Sequence, residues 1–522
     1  MKESIIIIIG ALLLTLESFA QCDECNFESN KLRVIVNKDQ LERVKKGNDI
    51  LSTLFSDETK TKHKIIKATQ SFPYSKNEYL QRVYKIEFDG ELKKFKKELE
   101  KNKEKFEKTF RLPIEEKIAV YDPSDYMWDH NHYLWHLEQI DAEHAWDITK
   151  GSSDTKIAVL DTWFDINHPD LSTKIDPHYD PYDNTNYTTD CKKENHGTAV
   201  ASFISAETDG GGQLASIGFN CRIIAFQAWD LDYLERAHFA SLSMGADVIT
   251  SSAGGWTCGG SLDPIDKIAV QEILDNGTII VMPAGNGIKI TSANDTIIST
   301  RCRPSGSSLD RPWFPLSPLY DERIIIVSSV DEGNYHTYTN GEGTTYIHSF
   351  FPEVDICAGG YNVLGAKCTT ELDSSNNCVN NSWPYGGCYG TSFSTPIVAG
   401  VCGLMKSINP CITPAEAQAI IKETAGPILD ENLYSGMLGA GIINAYESVR
   451  KAGTIEYINE TLSGTQNVSS GYAFYLDNVT IDASSNITLT AKKKVDIDGT
   501  FSVPIGSTFA INIDPNASFI CY

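Results

Sequence analysis

The pattern of apolar and polar residues divides the chain into three parts, and the first ends near residue 120. Alternation in "YKIEFDG" predicts a strand with three apolar side chains on one face. The following stretch, "ELKKFKKELEKNKEKFEKTF", carries a loose helical stripe from Leu92 through Phe106 to Phe110. "KLRVIVN" and "KDQLERVKK" predict a further strand and helix. We therefore expect a small α+β module here.

The middle part, from about residue 121 to residue 453, has a different texture. Short apolar runs alternate with helical or loop segments; these runs are "KIAVL", "CRIIAF", "ADVIT", "TIIVMPA" and "RIIIVSSV". Such runs are typical of parallel strands that are buried on both faces. With crossover helices between them, they predict an α/β fold with a doubly wound, mostly parallel sheet. Functional sites in such folds lie at the carboxyl ends of the strands.

The last part, residues 454–522, is polar and rich in Ser, Thr and Asn. Alternation returns in "ITLTA", "VDIDG" and "FAINI". Short strands with frequent turns predict a small all-β domain, and no internal repeat is evident.

The first twenty residues have the features of an export signal. Lys2 precedes an apolar run from Ile5 to Leu14, and small residues stand at positions 18 and 20. This predicts a secretory signal peptide, residues 1–20, cleaved after Ala20. The alternatives are a short membrane anchor, for which the run is too short, and a lipid anchor at Cys22. No other segment approaches the ~20 apolar residues of a membrane span, so we expect no transmembrane segment after signal removal.

The net charge of −24 is unevenly distributed. The first 120 residues carry 24 basic and 20 acidic side chains, whereas the rest carry 21 basic and 49 acidic ones. An acidic body of this kind argues against nucleic acid as a partner. The mildly basic first part could associate with the acidic body, although an acidic surface also simply keeps a secreted protein soluble.

Thirteen cysteines in an exported chain predict disulfides, with at least one thiol unpaired. Cys357, Cys368, Cys378 and Cys388 crowd into one segment rich in Gly, Asn and Ser. Two bridges within this segment are predicted rather than a metal site, because no CxxC pairs face each other. Cys402 lies in an apolar run and is predicted to be a buried small side chain.

Candidate catalytic residues stand at element boundaries. Asp161 follows the run "KIAVL", His196 opens "HGTAVASFISA", and Asn286 follows "TIIVM" within "PAGNG". Amide hydrolysis by a serine needs a base, a group that orients the base, and donors for the oxyanion. Each residue alone has an ordinary structural explanation as a turn or cap. Their order along the chain, at element ends, favours a shared site.

The stretch "GTSFSTP" supplies two candidate nucleophiles, Ser392 and Ser394. It precedes "PIVAGVCGLMKSI", a helix that is apolar on nearly all sides and is therefore predicted to be buried. Pro396 suits the first turn of this helix, where a missing N–H costs little. A serine at this N-terminus would lie in the positive end of the helix dipole, where an oxyanion is stabilised.

Residues 121–453 resemble the subtilisin-like serine proteases, or subtilases. The resemblance rests on four segments in family order: "AVLDTWFDINHPDL", "ENHGTAVAS", "PAGNG" and "GTSFSTPIVAG". It implies Asp161 as the residue that orients the base, His196 as general base, Ser392 as nucleophile and Asn286 as oxyanion donor. The family usually has Gly where this chain has Trp163, which leaves room for an impaired enzyme.

The resemblance also implies binding residues. "TSSAGGW" resembles the segment that lines the substrate cleft, which makes Ser252, Ala253 and Gly254 substrate-binding candidates. Subtilases often bind calcium, and the matching positions here are Asp170 in "HPDL" and Asp209 in the loop after the histidine helix. No cofactor is required for the chemistry itself, and a structural calcium ion is a possible addition.

Residues 21–120 resemble the propeptides of secreted subtilases, and residues 454–522 resemble short C-terminal domains that serve sorting or surface attachment. A carbohydrate- or surface-binding module is the competing interpretation of this last domain. The function expected is thus a secreted serine endopeptidase, extracellular or attached to the cell surface, made as an inactive precursor. Its partners would be protein or peptide substrates and its own propeptide. The alternative is a catalytically impaired, surface-binding protein with a subtilase fold. An esterase of the α/β-hydrolase type would need a G-x-S-x-G elbow and the order Ser, Asp, His, which the region around Ser392 lacks.

Overall fold

The computed structural model describes residues 4–7, 27–45, 49–70, 82–113, 134–176, 196–210, 213–227, 233–252, 264–286, 288–290, 321–340, 345–372, 378–381, 383–434 and 436–519. The chain divides into two compact units, residues 11–118 and residues 119–522 together with residues 1–10. The first strand, β1 (Ser4–Ile7), belongs to the larger unit.

The smaller unit is an antiparallel sheet with helices packed against one another and against its apolar face. The helices are α1 (Lys38–Lys45), α2 (Ile50–Leu54), α3 (Asp57–His63) and α4 (Leu92–Lys101), and the strands are β2 (Phe27–Val36), β3 (Ile65–Gln70), β4 (Val83–Phe88) and β5 (Phe106–Pro113). The strand order is β3-β4-β2-β5. Tyr84, Ile86 and Phe88 are fully buried together with Phe95 of α4. The predicted α+β character of this part is confirmed.

The helical stripe predicted to reach Phe110 is shorter than expected. Helix α4 ends at Lys101, and the N–H groups of Lys105 and Phe106 then bond to the carbonyl of Asn102 in a turn. Phe106 begins β5, which pairs antiparallel with β2. The prediction for residues 106–110 was wrong because sheet pairing outweighs the local helical spacing of apolar residues.

The larger unit is built on a six-stranded sheet. Its helices are α5 (Trp135–Gln139), α6 (Ala142–Ile148), α7 (His196–Ser205), α8 (Tyr233–Leu242), α9 (Pro264–Asp275), α10 (Thr391–Ile408), α11 (Pro414–Glu423) and α12 (Ala445–Ala452), with one 3₁₀ turn at Glu431–Leu433. The strands up to α10 are β6 (Lys156–Asp161), β7 (Arg222–Gln227), β8 (Val248–Ser251), β9 (Ile279–Pro283), β10 (Ile288–Ile290), β11 (Ile325–Val330), β12 (Thr337–Thr339), β13 (Thr345–Ile347), β14 (Ile356–Gly359), β15 (Tyr361–Ala366), β16 (Thr370–Leu372), β17 (Cys378–Asn380) and β18 (Tyr385–Tyr389). The sheet runs β14-β11-β9-β8-β6-β7, with every neighbouring pair parallel.

Alternate residues of these strands enter two different cores. On β6, Ile157 and Val159 pack with residues of α7 and α10, whereas Ala158 and Leu160 pack with residues of α8 and α9. Because both faces of the sheet are covered, the strands read as continuous apolar runs in the sequence. The predicted α/β fold with a doubly wound parallel sheet is confirmed.

Smaller antiparallel sheets lie beside the main one. Strands β10, β13 and β12 form a three-stranded sheet, and β15 pairs with β18, which leads directly into α10. Strands β16 and β17 form a hairpin-like pair.

The predicted pair of bridges within the cysteine-rich segment was wrong. Cys357 and Cys388 are buried free thiols, as are Cys221 and Cys402, so two of the four cysteines in the segment form no bridge. Cys357 lies on β14 with its Sγ 3.5 Å from the Leu438 carbonyl oxygen, whereas Cys368 has its Sγ 3.7 Å from Thr198 Oγ1. The main sheet and its flanking strands hold these sulfurs against different neighbours. Cys402 is fully buried in the core, as predicted.

The C-terminal part is all-β, as predicted, but it is also repetitive. Its strands are β19 (Thr454–Ile458), β20 (Thr461–Leu462), β21 (Thr465–Ser470), β22 (Ala473–Ile481), β23 (Asn486–Ala491), β24 (Lys494–Ser502) and β25 (Thr508–Ile513). One parallel ladder joins β19, β22 and β24, and a second joins β21, β23 and β25, with 19 to 22 residues between paired positions. Strand β1 adds to β25 in the antiparallel sense. Successive passes of the chain thus stack on one another, as in a β-solenoid.

This stack packs against the rest of its unit. Tyr472 and Ala473 belong to the main core, and the Lys492 ammonium group donates to the Ile148 carbonyl oxygen at 3.2 Å. In the part of the chain that the structure describes, no helix is long and apolar enough to cross a membrane.

Candidate active site

Three of the candidate residues follow neighbouring strands of the central sheet. Asp161 ends β6, Ser252 comes directly after β8, and Asn286 comes three residues after β9. These strands are adjacent in the order β9-β8-β6, and all are parallel. The side chains are therefore gathered at the carboxyl edge of the sheet, where sites in this fold class form.

Asp161 is fully buried and holds His196. Its Oδ1 accepts hydrogen bonds from Nδ1 of His196 at 2.7 Å and from the N–H of Thr162 at 2.6 Å. The Asp161 Oδ2 atom has no hydrogen-bond partner within the described ranges. With Nδ1 donating to this carboxylate, the other ring nitrogen of His196 is left as a proton acceptor. The His196 side chain keeps 32% of its surface exposed.

The segment after Asp161 also caps the histidine helix. The N–H of Gly197 donates to Thr162 Oγ1 at 3.1 Å, and the N–H of Thr198 donates to the Trp163 carbonyl oxygen at 3.1 Å. These are N–H groups of the first turn of α7, which have no partner inside the helix. A Cβ at position 197 would lie 2.7 Å from the Trp163 carbonyl oxygen, so this close approach requires glycine. The capping contacts bring the start of α7 to the end of β6, and with it His196 to Asp161.

Trp163 does not disturb this arrangement. It is absent from the residues with positive φ, so its backbone has a conformation that any L-residue adopts. Its carbonyl is the one that caps α7. The possible need for glycine at position 163 therefore does not apply to the backbone of this chain.

Ser392 lies in the first turn of α10, which begins earlier than predicted. The helix starts at Thr391 after Gly390, whose φ of +132° is in the region that favours glycine. Ser392 is 9% exposed, and its Oγ donates to the Ser252 carbonyl oxygen at 3.4 Å. The predicted start of the helix at Pro396 was wrong, although the helix is buried as expected.

Because α10 starts at Thr391, Pro396 lies inside the helix and removes one of its backbone hydrogen bonds. Proline lacks the N–H that would bond to the carbonyl four residues before it, which is the carbonyl of Ser392. The hydroxyl of Ser252 donates to that carbonyl at 2.9 Å instead. Ser252 and Ser392 therefore exchange two hydrogen bonds, and these fix the segment after β8 against the serine helix.

Asn286 is attached to the same helix start. Its Oδ1 accepts from the N–H of Thr391 at 2.9 Å and lies 3.3 Å from the Thr391 hydroxyl. The Thr391 Oγ1 in turn accepts from the N–H of Gly285 at 3.1 Å. A Cβ on Gly390 would lie 2.7 Å from Asn286 Oδ1. Because Oδ1 is taken up by these contacts, the amide Nδ2 of Asn286, an exposed residue, is left to donate outward.

Ser394 has a different environment from Ser392. It is fully buried, and its Oγ donates to the Gly359 carbonyl oxygen at 3.1 Å. A Cβ on Gly360 would lie 2.3 Å from the same Oγ. This hydroxyl packs against β14 and has no room for a substrate.

Of the substrate-binding candidates, Ser252 is described above, and Ala253 and Gly254 lie outside the described residues. The contact from Ser252 to Ser392 was not predicted. A proline four residues after a nucleophile candidate indicates that the carbonyl of that candidate needs another donor. This inference can be drawn only when the start of the helix is known.

The surroundings of Asp170 do not fit a calcium site. Its Oδ2 accepts from the Tyr385 hydroxyl at 2.7 Å, and its Oδ1 accepts from the N–H of Gln213 at 3.1 Å. Burial raises the pKa of this carboxyl, and the Tyr385 hydroxyl opposes the rise. A cation needs oxygen ligands directed at it, whereas here hydrogen-bond donors surround the carboxylate.

Asp209 lies in an exposed turn with a φ of +63°. In the described ranges, no group of three or more His, Cys, Asp or Glu side chains could hold a metal ion. The calcium ligands Asp170 and Asp209 thus remain a prediction that the contacts of Asp170 do not favour.

Comparison with known proteins bears on the same region. The profile described as "Subtilase family" matches residues 152–456. A thermophilic serine proteinase of Bacillus sp. (strain AK1) is 29% identical over 337 residues, which are 63% of this chain and 70% of that protein. Thermitase of Thermoactinomyces vulgaris is 27% identical, covering 63% of this chain and 100% of its own length. A halolysin-like extracellular serine protease of Natrialba magadii is 28% identical, covering 59% of this chain and 50% of that protein.

Proposed function

The chain belongs to the subtilase family of serine proteases, and from this premise we propose that it is an endopeptidase that cleaves proteins through an acyl-enzyme on Ser392. The observation that carries the proposal is the hydrogen bond of His196 to the buried Asp161. The centroid of the His196 ring lies 5.4 Å from the ring centroid of Phe393, which is the residue after Ser392.

The proposed reaction starts with attack of Ser392 Oγ on the carbonyl carbon of the scissile peptide. Nε2 of His196 takes the hydroxyl proton and later gives it to the leaving amine. Water then attacks the ester, loses a proton to His196 and releases the new carboxyl group, and the proton returns to Ser392. Asp161 accepts from Nδ1–H throughout, which keeps the imidazole in the required tautomer and stabilises its cation.

The oxyanion of the tetrahedral intermediate would receive two hydrogen bonds. The first donor is Nδ2 of Asn286, whose position is supported by the bonds of its Oδ1 to Thr391. The second is the N–H of Ser392, in the first turn of α10, where helix geometry leaves N–H groups without an intrahelical acceptor. The positive end of the α10 dipole adds to this stabilisation. No cofactor is needed for these steps.

The remaining parts of the proposal concern the precursor. The charge and export patterns of the first 120 residues support a signal peptide at 1–20 and a propeptide at 21–120 that binds its own acidic protease domain, residues 121–453. They also support a secreted protein, and the relative from Natrialba magadii is named as extracellular. The domain at 454–522 would serve sorting or surface attachment. The substrates proposed are proteins and peptides in general.

Hydrolysis of casein by the processed protein tests this function, with Ser392→Ala as the inactivating variant. Ser394→Ala is the matched control, because it removes a hydroxyl two residues away that is buried against β14. We expect Ser392→Ala to abolish hydrolysis and Ser394→Ala to retain it. A folded, processed wild-type protein without hydrolysis would favour the surface-binding alternative.

A further inference from the structure

A row of aromatic rings connects helix α5 to His196. The successive centroid distances are 6.2 Å for Trp135 and His136, 5.5 Å for His136 and Phe203, 5.6 Å for Phe203 and Phe393, and 5.4 Å for Phe393 and His196. Trp135 and His136 lie on α5, His196 and Phe203 lie on α7, and Phe393 lies on α10. We refer to these five residues as the ring row.

The ring row is buried along its length and meets solvent only at its end. Trp135, His136, Phe203 and Phe393 are each at most 8% exposed, whereas the His196 side chain is 32% exposed. The two ring pairs of His136 are edge to face, with interplanar angles of 89° and 70°, and the two pairs of Phe393 are tilted at 51° and 54°, so no pair stacks as parallel plates. Such pairs attract each other beyond simple area burial, and an interlocked row resists rotation of any one ring.

Helix α5 is also linked to the start of α10 through strand β14. A Cβ on Gly359 would lie 2.8 Å from Trp135 Cη2 and 2.9 Å from His136 Cβ, so α5 lies directly on this part of β14. The Gly359 carbonyl accepts the hydrogen bond from Ser394 at 3.1 Å. Helix α5 is thereby connected both to His196, through the rings, and to the first turns of α10, through β14.

We propose that Phe393 is a positioning residue for His196, acting on the imidazole by contact and not on the substrate, and that Phe203 and helix α5 act through Phe393. The proposal rests on the proposed function of His196 as general base. The hydrogen bond to Asp161 holds Nδ1 of the imidazole but does not by itself prevent the ring from turning about that bond. The ring of Phe393, held in place by Phe203, restricts this turning and keeps water from one side of the imidazole.

The expected effect follows from how strongly catalysis depends on geometry. A misplacement of a catalytic group by about 1 Å can cost on the order of 10²-fold in rate. Loss of the Phe393 ring also lets water reach the imidazole, which stabilises its cation and raises the apparent pKa of the base. A side chain that only fills the core would lower stability without either effect.

The test compares Phe393→Leu and Phe203→Leu with the ring-retaining Phe393→Tyr. Phe350→Leu is the matched control, because Phe350 is 2% exposed and contacts the rings of His336 and Tyr434 outside the ring row. The measurements are kcat and KM for a peptide substrate as functions of pH, corrected for the fraction of molecules that bind a fluorophosphonate, and Tm.

We expect Phe393→Leu to lower kcat by about 10- to 100-fold with little change in KM and to move the acidic limb of the kcat/KM profile to higher pH. Phe203→Leu should do the same more weakly, and Phe393→Tyr should recover most of the rate. Phe350→Leu should lower Tm and leave the pH profile in place. If Phe393→Leu and Phe350→Leu change only Tm, the ring row is ordinary core packing and the proposal is overturned.

The inference can fail separately from the proposed function. The proton on Nδ1 of His196, bonded to Asp161, gives an NMR signal that requires no turnover. If the wild type has this signal but hydrolyses nothing, the proposed function fails. The positioning proposal then stands if Phe393→Leu broadens or removes the signal while Phe350→Leu retains it, and it falls if both variants retain it.

Discussion

Asp161 and Asp170 are two fully buried carboxylates nine residues apart, and their surroundings differ in kind. Asp161 gives one oxygen to an imidazole that is partly exposed and can change its protonation. Asp170 gives its oxygens to the Tyr385 hydroxyl and to a backbone N–H, neither of which exchanges a proton in the neutral range. Burial alone therefore does not mark a carboxylate as catalytic. The groups that contact the carboxylate determine whether its role is catalytic or structural.

The largest expected effect comes from removing the charge at each of the two positions. Asp161→Asn should lower kcat/KM by about 10⁴-fold, because the amide stabilises the wrong imidazole tautomer. Asp170→Asn should leave the kcat/KM of the folded molecules near that of the wild type. The measurement is peptide hydrolysis normalised to the folded fraction. Equal losses of activity at the two positions would remove the distinction between them.

The next effect sharpens the chemical side of the comparison. Asn286→Ala removes the proposed oxyanion donor and should lower kcat by about 10²- to 10³-fold. Because Asn286 Oδ1 accepts from the N–H of Thr391, the variant should also lose about 1 kcal/mol of stability at the start of α10. Steady-state kinetics and a thermal melt measure the two changes. A fall in Tm with an unchanged kcat would show that Asn286 acts only through its hydrogen bond to the start of α10 and not as an oxyanion donor.

The structural role of Asp170 is tested by removing the hydroxyl of Tyr385. Tyr385→Phe leaves the buried Asp170 without its hydroxyl donor and should lower the free energy of unfolding by about 1–3 kcal/mol, as measured by denaturant titration. A chelator should not lower the stability of the wild type through Asp170, since its oxygens are directed at hydrogen-bond donors. A chelator-induced fall in Tm that Asp170→Asn abolishes would restore the calcium interpretation.

A third buried group predicts the pH dependence of stability. Burial, together with the nearby His336, lowers the pKa of His348 to about 3. The folded state therefore disfavours the cation, so its contribution is fully present above the unfolded pKa of about 6.5. It is lost as the pH falls from there towards 3, at up to about 1.4 kcal/mol per pH unit. His348→Gln should flatten this slope in denaturant titrations across the range, and an unchanged slope would show that His348 does not cause it.

The sequence predicted most of the architecture that surrounds Asp161. Buried parallel strands leave continuous apolar runs, and the carboxyl-end rule then brings Asp161 and Asn286 to one edge. These inferences use local patterns that tertiary contacts reinforce. The hydrogen bonds of Asp161 and His196 follow from the same motifs.

What could not be predicted depends on contacts between distant segments. Asn286 supports the start of α10 at Thr391. Only with this start does the Ser392 carbonyl lack a helical donor and accept from the Ser252 hydroxyl instead. Two contacts of the ring row join residues nearly two hundred positions apart, His196 with Phe393 and Phe203 with Phe393, so no local pattern contains it. The strand from Phe106 was missed because its partner, β2, lies about seventy residues earlier.

The repeat in the C-terminal part was missed for a related reason. Its period of 19 to 22 residues is carried by the spacing of paired backbone positions rather than by recurring side chains. Alternation predicts the strands, but the parallel stacking of successive passes is visible only in the ladders.

In the proposed function, Asp161 and His196 activate Ser392. Treatment of the processed protein with a fluorophosphonate, followed by peptide mass spectrometry, tests it most directly. We expect one adduct per molecule on Ser392, lost in His196→Ala and retained in Ser394→Ala. An adduct on Ser394, or the same rate of labelling without His196, would contradict it.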